Sequence, residues 1–451
     1  MSKQRLVVIG GVAAGMSAAS QAKRRKPDLE VVVFEKGPWV SYGACGMPYN
    51  IQDPSRRIED LVVITPERFR SERGIDVRTQ SEVIELDITR RVCTVRQAAG
   101  ESRVEYDQLV MATGCKPLNP PFSGLFLAGV FFLHTLVDAE RIKRYLNDNS
   151  LEQAVVIGGG HIGLEMADVL CARGLQVTLL KRSDALPPGY PEEISSIVRA
   201  EFERYGVQLQ PGTQVLGFEG DSRVRKVKTT AGSLPADLVI VATGVEPQVG
   251  LAVQAGLRLG DSGAIEVDRH MRTSIDGVFA AGDCAEAFDL LAGQGKFIPR
   301  GTTANKQGRI AGANVVGADK LFKGVMGTSV TKVFGLAVGH TGLLDQPARQ
   351  AGFDPVAAFI KARTRAHSYP GAKDIAVRLV FERANGRILG AQLAGGEGVA
   401  KRLDVIVAAL HANWTVEDLA ACDLSYAPPF APVWDPILVA ANVACKKGGW
   451  G

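Results

Sequence analysis

The chain has no Cys-x-x-Cys pair: its seven cysteines, at positions 45, 93, 115, 171, 284, 422 and 445, are scattered through 451 residues. Without paired thiols neither an internal redox dithiol nor a zinc knuckle is expected, and the six histidines form no cluster of metal-ligand spacing, so no metal is expected. There is no excess of one charge sign. Fifty-two basic residues stand against 48 acidic ones, interspersed, for a net charge of +4, which is not the footprint of a nucleic-acid binder. Nor is there an apolar run long enough to span a bilayer, and Met1-Ser2-Lys3-Gln4-Arg5 enters an apolar strand with no room for a signal peptide. We therefore expect no membrane association and a cytoplasmic location. The length exceeds what one core serves, so two or three domains are expected.

Glycine, by contrast, is abundant, with 50 residues. The stretch Ser41-Tyr42-Gly43-Ala44-Cys45-Gly46-Met47-Pro48-Tyr49 sets one cysteine among small residues, with a proline three positions on where a helix can begin. A thiol near the unpaired N–H groups of a helix start is favoured as thiolate. Cys45 is the candidate reactive atom. The alternative is a packed structural thiol, as expected for Cys93 and Cys171 in their apolar patterns.

Leu6-Val7-Val8-Ile9 runs into Gly10-Gly11-Val12-Ala13-Ala14-Gly15 and an alanine-rich helix pattern, and a strand over 30–34 ends at Glu35. Glycines in such a loop let the backbone approach a pyrophosphate at the helix N-terminus, while the acid ending the next strand accepts from ribose hydroxyls. Val12 replaces the middle glycine of that fingerprint. A strand over 107–111 then ends in Ala112-Thr113-Gly114. The pattern repeats: a strand over 154–157 enters Gly158-Gly159-Gly160-His161-Ile162-Gly163-Leu164-Glu165, another covers 176–180, and 237–241 ends in Ala242-Thr243-Gly244. Two such copies predict two nucleotide-binding domains with an internal electron relay. In the second copy the strand ends in Lys181-Arg182 instead of an acid, which favours a 2′-phosphate; solvated surface charges and use of NADH are the alternative. His161 reads as a loop residue without a catalytic part.

Elsewhere, Thr65-Pro66-Glu67 opens a helix, and segments over 82–87, 92–96 and 103–105 read as an antiparallel insert. A strand ending at Gly282-Asp283 places an acid where it can meet a flavin's ribityl chain or phosphate, and a helix starts at Ala304. Past 323 the pattern turns to strands over 328–334, 357–362 and 375–381, a hairpin turn at Asn385-Gly386 and a helix over 399–413. Residues 425–432 are too proline-rich for regular structure, and 446–451 read as a frayed tail. The expected class is α/β, with two Rossmann-like domains and a C-terminal α+β domain.

Taken in this order the motifs resemble the two-dinucleotide flavoprotein disulfide reductases, over nearly the whole chain. The single cysteine of Ser-x-x-x-Cys-Gly-x-Pro-Tyr is similar to the coenzyme A (CoA) disulfide reductases and the NAD(P)H-dependent persulfide, polysulfide and sulfur reductases. The Cys-x-x-x-x-Cys of the glutathione reductase type is absent. The resemblance implies an FAD domain over 1–118 and 246–322, an NAD(P)H domain over 119–245 and a dimerisation domain over 323–451. It implies FAD at Gly10, Val12, Ala13, Ala14, Gly15, Glu35, Lys36, Ser41, Val83, Ala112, Thr113, Gly114, Gly282, Asp283 and Ala304. NADPH or NADH falls at Gly158, Gly160, Ile162, Gly163, Glu165, Lys181, Arg182 and Gly244. CoA, as substrate or as a mixed disulfide on Cys45, falls at Gln21, Arg24, Ser41, Arg73, Asn305 and Arg365.

The same resemblance implies a homodimer in which Tyr369 (Tyr-Pro-Gly) and Tyr426 (Tyr-Ala-Pro-Pro) of the partner subunit complete each site. Ala13 stands where related peroxidases and oxidases carry a histidine, and Trp434 where relatives can present a lysine. The rhodanese domain of some relatives is not expected. The implied chemistry is hydride transfer from NAD(P)H to FAD, then reduction of the Cys45 mixed disulfide by the reduced flavin, which frees a thiolate that attacks a sulfur of a small-molecule disulfide or persulfide and expels the other sulfur as a thiolate. Two alternatives remain: an NAD(P)H oxidase or peroxidase working through Cys45 sulfenic acid, and a low-turnover redox-sensing or electron-carrier flavoprotein.

Overall fold

The computed structural model describes residues 4–450; Met1, Ser2, Lys3 and Gly451 lie outside the described residues. Contacts divide the chain into two compact units, Met1–Asn119 with His134–Lys143 and Val245–Val325, and Pro120–Leu133 with Arg144–Gly244 and Met326–Gly451. The segment His134–Lys143, which the sequence places with the pyridine-nucleotide domain, groups with the first unit. The Lys143 ammonium binds backbone oxygens of Asn50, Asp53 and Arg56 there.

The first unit is built on a parallel sheet in the order Val278–Ala280, Gln108–Met111, Arg5–Ile9, Glu30–Phe34, Asp76–Arg78. Val8 lies opposite Val33 and Val110, and these strands are buried on both faces, which is why they read as continuous apolar runs. The helix Ala13–Arg25 lies against Gly301–Asn314 at backbone distance: a Cβ on Gly308 would stand 2.2 Å from the Ala14 carbonyl oxygen, and one on Gly312 2.1 Å from that of Ala18. Only small residues allow that approach. The later helix begins at Gly301, a turn before the expected Ala304. The insert forms as Glu82–Asp87, Val92–Gln97 and Gly100–Glu105, antiparallel throughout.

The second unit holds another parallel sheet, Gln208–Pro211, Gln176–Lys181, Gln153–Ile157, Leu238–Val241, Val130–Phe131, and an antiparallel one, Ser329–Val333, Leu336–Gly342, Ile388–Gly395, Asp374–Glu382, Pro355–Arg363. Leu336–Gly342 escaped the sequence reading because Gly339 and Gly342 interrupt its alternation and Gly335 precedes it. The helix Val399–His411 buries Val399, Leu403, Ile406 and Leu410.

The frayed tail is corrected. Lys446 and Lys447 are the last turn of a helix, Pro436–Gly448, whose Asp435 cap accepts from the Ile437 N–H at 3.1 Å. Gly449 turns left-handed (φ +84°), and the Trp450 ring meets Phe381 edge-on at 6.0 Å. Contact of that half-buried indole with Phe381 supplies what the polar tail sequence did not advertise.

Candidate active site: two glycine loops and an exposed thiol

In the first loop Gly10 has φ +107°, and a Cβ there would lie 2.1 Å from the Ala112 oxygen; one on Gly15 would lie 1.8 Å from the Gly10 oxygen. Glycine is obligatory at both. The following helix starts at Ala13 with no side-chain cap from Val12, which leaves first-turn N–H groups for an anion. Glu35 is held by the Gly11 N–H on Oε2 (2.8 Å) and the Gly37 N–H on Oε1 (2.7 Å), while Lys36 is exposed. Ser41, at φ +48°, donates its N–H to the Gly11 oxygen at 2.9 Å. Thr113 donates to the Gln248 carbonyl at 2.6 Å, and Gly114 is left-handed at φ +72°. A Cβ on Gly282 would stand 2.7 Å from Ala14 and 3.6 Å from Ala304. Val83 sits in the apolar cluster of Ile9, Phe34 and Met111.

Asp283 carries the strongest sign of a ligand-binding position. Its Oδ2 accepts from the Cys115 thiol at 3.5 Å, but Oδ1 is buried with no partner among the described residues. Burial pushes its carboxyl above the usual range. An orphaned buried acceptor costs about 1–3 kcal/mol, and a hydroxyl donor beside it removes that cost. The loop and this aspartate fit FAD.

Cys45 lies in the 3-10 turn Ala44–Gly46, which runs into the helix Met47–Gln52 with Pro48 in its first turn. No disulfide links the seven cysteines, and Cys45 is the exposed one; Cys93, Cys284 and Cys445 are buried and Cys115, Cys171 and Cys422 half-buried. Two neighbours of this segment were not singled out from sequence. Burial, with Glu35 and Asp138 adding, pushes the Tyr42 phenol above its ordinary value, so that it stays neutral. Lys143 donates to Asn50 O (3.0 Å), Asn50 Oδ1 (3.1 Å), Asp53 O (2.8 Å) and Arg56 O, clamping the C-terminal end of Met47–Gln52. It sits 93 residues from Asn50, so no spacing could announce it.

The second loop repeats the geometry of the first. Gly158 has φ +112°, and its Cβ would lie 2.2 Å from the Ala242 oxygen; a Cβ on Gly163 would lie 1.9 Å from Gly158 O, whereas one on Gly160 meets nothing within 4 Å. Gly244 is also left-handed, at φ +119°, and the Thr243 hydroxyl is buried without a partner among the described residues. Ile162 begins the helix beside His161, and Glu165 accepts from Thr331 at 2.6 Å. Lys181 and Arg182 part company. Burial pushes the Lys181 ammonium below its usual value and it donates to the Asp184 carbonyl, while Arg182 is exposed. His161, read as a bystander, is within hydrogen-bond distance of Ser329 (3.1 Å), and Ser329 in turn of His340 (3.0 Å), which also meets the Tyr190 hydroxyl (2.7 Å).

Four of the six positions matched to CoA gather on one face of Ala13–Arg25. Arg24 donates to Gln21 (2.7 Å), Arg73 to Ser20 (3.0 Å) and Ser17 to Asn305 (2.7 Å). Ser17, Ser20, Gln21 and Arg24 follow the i, i+3, i+4, i+7 spacing of a helix face, so the two serines belong to the cluster although the sequence reading passed over them. Ser41 lies apart, at the first loop. Arg365 belongs to the second unit, paired through Nε and Nη2 with Glu397 at 2.6 and 2.9 Å. Tyr369 and Tyr426 are in that unit too, 38% and 50% exposed.

Two dinucleotide loops, each on its own parallel sheet, an aspartate short of one donor and an exposed cysteine define a pyridine-nucleotide flavoprotein oxidoreductase. Residues 4–308 match the pyridine nucleotide-disulphide oxidoreductases, and 328–436 match that family's dimerisation domain. The chain belongs to this family. It is 44% identical over 442 residues to an NAD(P)H sulfur oxidoreductase (CoA-dependent) of Pyrococcus abyssi, covering 98% of each chain. An NADH oxidase of Methanocaldococcus jannaschii is 36% identical over 98% of this chain and 99% of its own. Among solved structures, the NAD-dependent persulfide reductase from A. fulgidus superposes with a TM-score of 0.96 at 37% identity, over 99% of this chain and 84% of that one. Among the described residues no helix is long and apolar enough to cross a membrane.

Proposed function

We propose that the enzyme reduces a disulfide or persulfide of CoA at Cys45 with electrons from NAD(P)H. The observation that carries this reading is the solitary exposed Cys45, at the head of a helix in the unit that holds the first glycine loop. The names of the Pyrococcus and A. fulgidus proteins support it. FAD, when bound, supplies the passage of an electron pair from nicotinamide to sulfur. The first loop, Glu35 and the Asp283 carboxyl hold and orient that group. The Cys45 thiolate attacks one sulfur of the substrate, forming a mixed disulfide and expelling the other sulfur as a thiolate. The partner subunit's Tyr369 and Tyr426 donate a proton or hydrogen bond to the departing sulfur. Gln21, Arg24, Arg73 and Asn305 meet the phosphate-bearing arm of CoA, and a homodimer supplies the tyrosines. At the second loop the exposed Arg182, rather than Lys181, meets a 2′-phosphate. A cytoplasmic location suits a thiol that must cycle.

Intact mass of the purified protein before and after reduction tests the reading: loss of one CoA from Cys45 is expected, and an unmodified or internally bonded cysteine sinks it. The relationship to an NADH oxidase favours a second reading, in which Cys45 is oxidised to sulfenic acid and reduced again. Oxygen or peroxide consumed per NAD(P)H, set against thiol released from CoA disulfide, separates the two.

A further inference from the structure

Both tyrosines assigned above sit on irregular chain. Tyr369 follows the strand Pro355–Arg363, and Tyr426 lies in 422–434, which has neither helix nor strand and exposes Phe430 (78%), Val433 (67%) and Trp434 (60%). Among the described residues no ladder holds either loop. One backbone bond joins them directly, from the Ala366 N–H to the Pro428 oxygen at 3.1 Å.

Beneath them lies a buried guanidinium. Arg402, on the helix Val399–His411, is 8% exposed. Its Nε donates to both oxygens of Asp435, at 3.1 and 2.9 Å, and its Nη2 to the Thr364 oxygen at 3.1 Å and the Phe430 oxygen at 3.4 Å. Those carbonyls belong to the Tyr369 loop and the Tyr426 loop respectively. Asp435 is equally buried and caps Pro436–Gly448, and Gly398 at the head of the arginine's helix leaves room, since a Cβ there would lie 2.2 Å from Nη1. Burying an Arg–Asp pair brings little net stability over an apolar pair of the same shape. What an apolar pair cannot do is donate to two carbonyls on two separate loops, and the planar guanidinium does so in a fixed geometry.

We propose that Arg402 is a positioning residue that locks the Tyr369 and Tyr426 loops into one rigid unit. The consequence for turnover rests on the assignment of the two tyrosines above; the coupling of the loops does not.

The test uses the flavin-loaded enzyme and hydrogen–deuterium exchange. The paired variant Arg402→Met/Asp435→Asn removes both buried charges and keeps a capping side chain, so that neither an unpaired charge nor a lost cap unfolds the domain. The amides of Ala366, Tyr369, Phe430 and Ala431, all hydrogen-bonded in the loops, are expected to exchange at least about tenfold faster, together, as the loss of a charge-assisted bond implies. Rates within 399–411 and 436–448 stay unchanged. Arg402→Lys keeps the charge but not the fork, so it too leaves the melting temperature near that of the wild type and does not bring back slow exchange. Turnover with CoA disulfide falls about tenfold in both variants, at unchanged KM for NAD(P)H.

Wild-type exchange in either loop overturns the coupling, and so does acceleration spread evenly over the domain or full rescue by Arg402→Lys. Tyr369→Phe and Tyr426→Phe are assayed alongside. If they retain wild-type turnover the tyrosine assignment fails, while the exchange data still decide the coupling.

Discussion

Replacing Lys143 by methionine keeps the length of the side chain and removes its charge and donors. Of the four oxygens it binds, the two on Asn50 are sealed from water, since Asn50 is 1% exposed, whereas Asp53 and Arg56 lie at the surface. Two orphaned acceptors cost about 1–3 kcal/mol each. Sparing the ammonium its desolvation returns part of this, for a net loss of about 2–4 kcal/mol. Because these four bonds all go to the chain just after Cys45, the loss falls on local opening of residues 47–57 rather than on the whole unit. At a factor of ten per 1.4 kcal/mol, trypsin should cut after Arg56 and Arg57 roughly 30- to 1,000-fold faster under native conditions, and turnover should drop as Cys45 loses its fixed place. Cleavage within threefold of wild type, with full activity, would refute the clamp.

Cys45→Ser should abolish disulfide reduction while bleaching of the flavin by NAD(P)H persists, and full activity in that variant defeats the mechanism. The two loop glycines should separate. Gly163→Ala forces a Cβ to 1.9 Å from Gly158 O and should cost about 1–3 kcal/mol in a melting experiment, whereas Gly160→Ala, at φ −74° with open space around it, should melt normally and raise KM for the nucleotide roughly tenfold. Arg182→Ala should lower kcat/KM for NADPH roughly tenfold and spare NADH. At Asp345 burial alone would raise the carboxyl, but the bonds and charge of Arg378 outweigh it and hold it below its ordinary value. The pair therefore stabilises above the unfolded carboxylate pKa and loses that contribution as pH falls through the depressed one. Acid melting of Asp345→Asn should lack this component.

The repeat is legible in the sequence alone. Strand, glycine loop, helix and second strand recur because a tight turn and a buried parallel strand each leave a signature within a few residues. Glu35, Cys45 and the Thr65 cap, which accepts from the Arg68 N–H at 3.4 Å, belong to the same local class. So did Asp435-Pro436, an N-cap with proline behind it that went unread. The strand Leu336–Gly342 was hidden because glycines broke its alternation, and the tail because its anchor, Trp450 on Phe381, lies across the fold.

What the chain order alone determined was the inventory: two dinucleotide loops, an acid ending the strand that follows the first of them, and one cysteine with no second cysteine in its motif. Steric limits on backbone turns and the period of buried residues act between adjacent positions, and so they write themselves into sequence. Only the folded chain decided which groups meet. The Cys115 thiol finds Asp283 across 168 positions, Lys143 finds Asn50 across 93, and Arg402 reaches two loops at once. Such pairings follow from packing and from the cost of leaving a buried polar atom alone, and no local pattern encodes either.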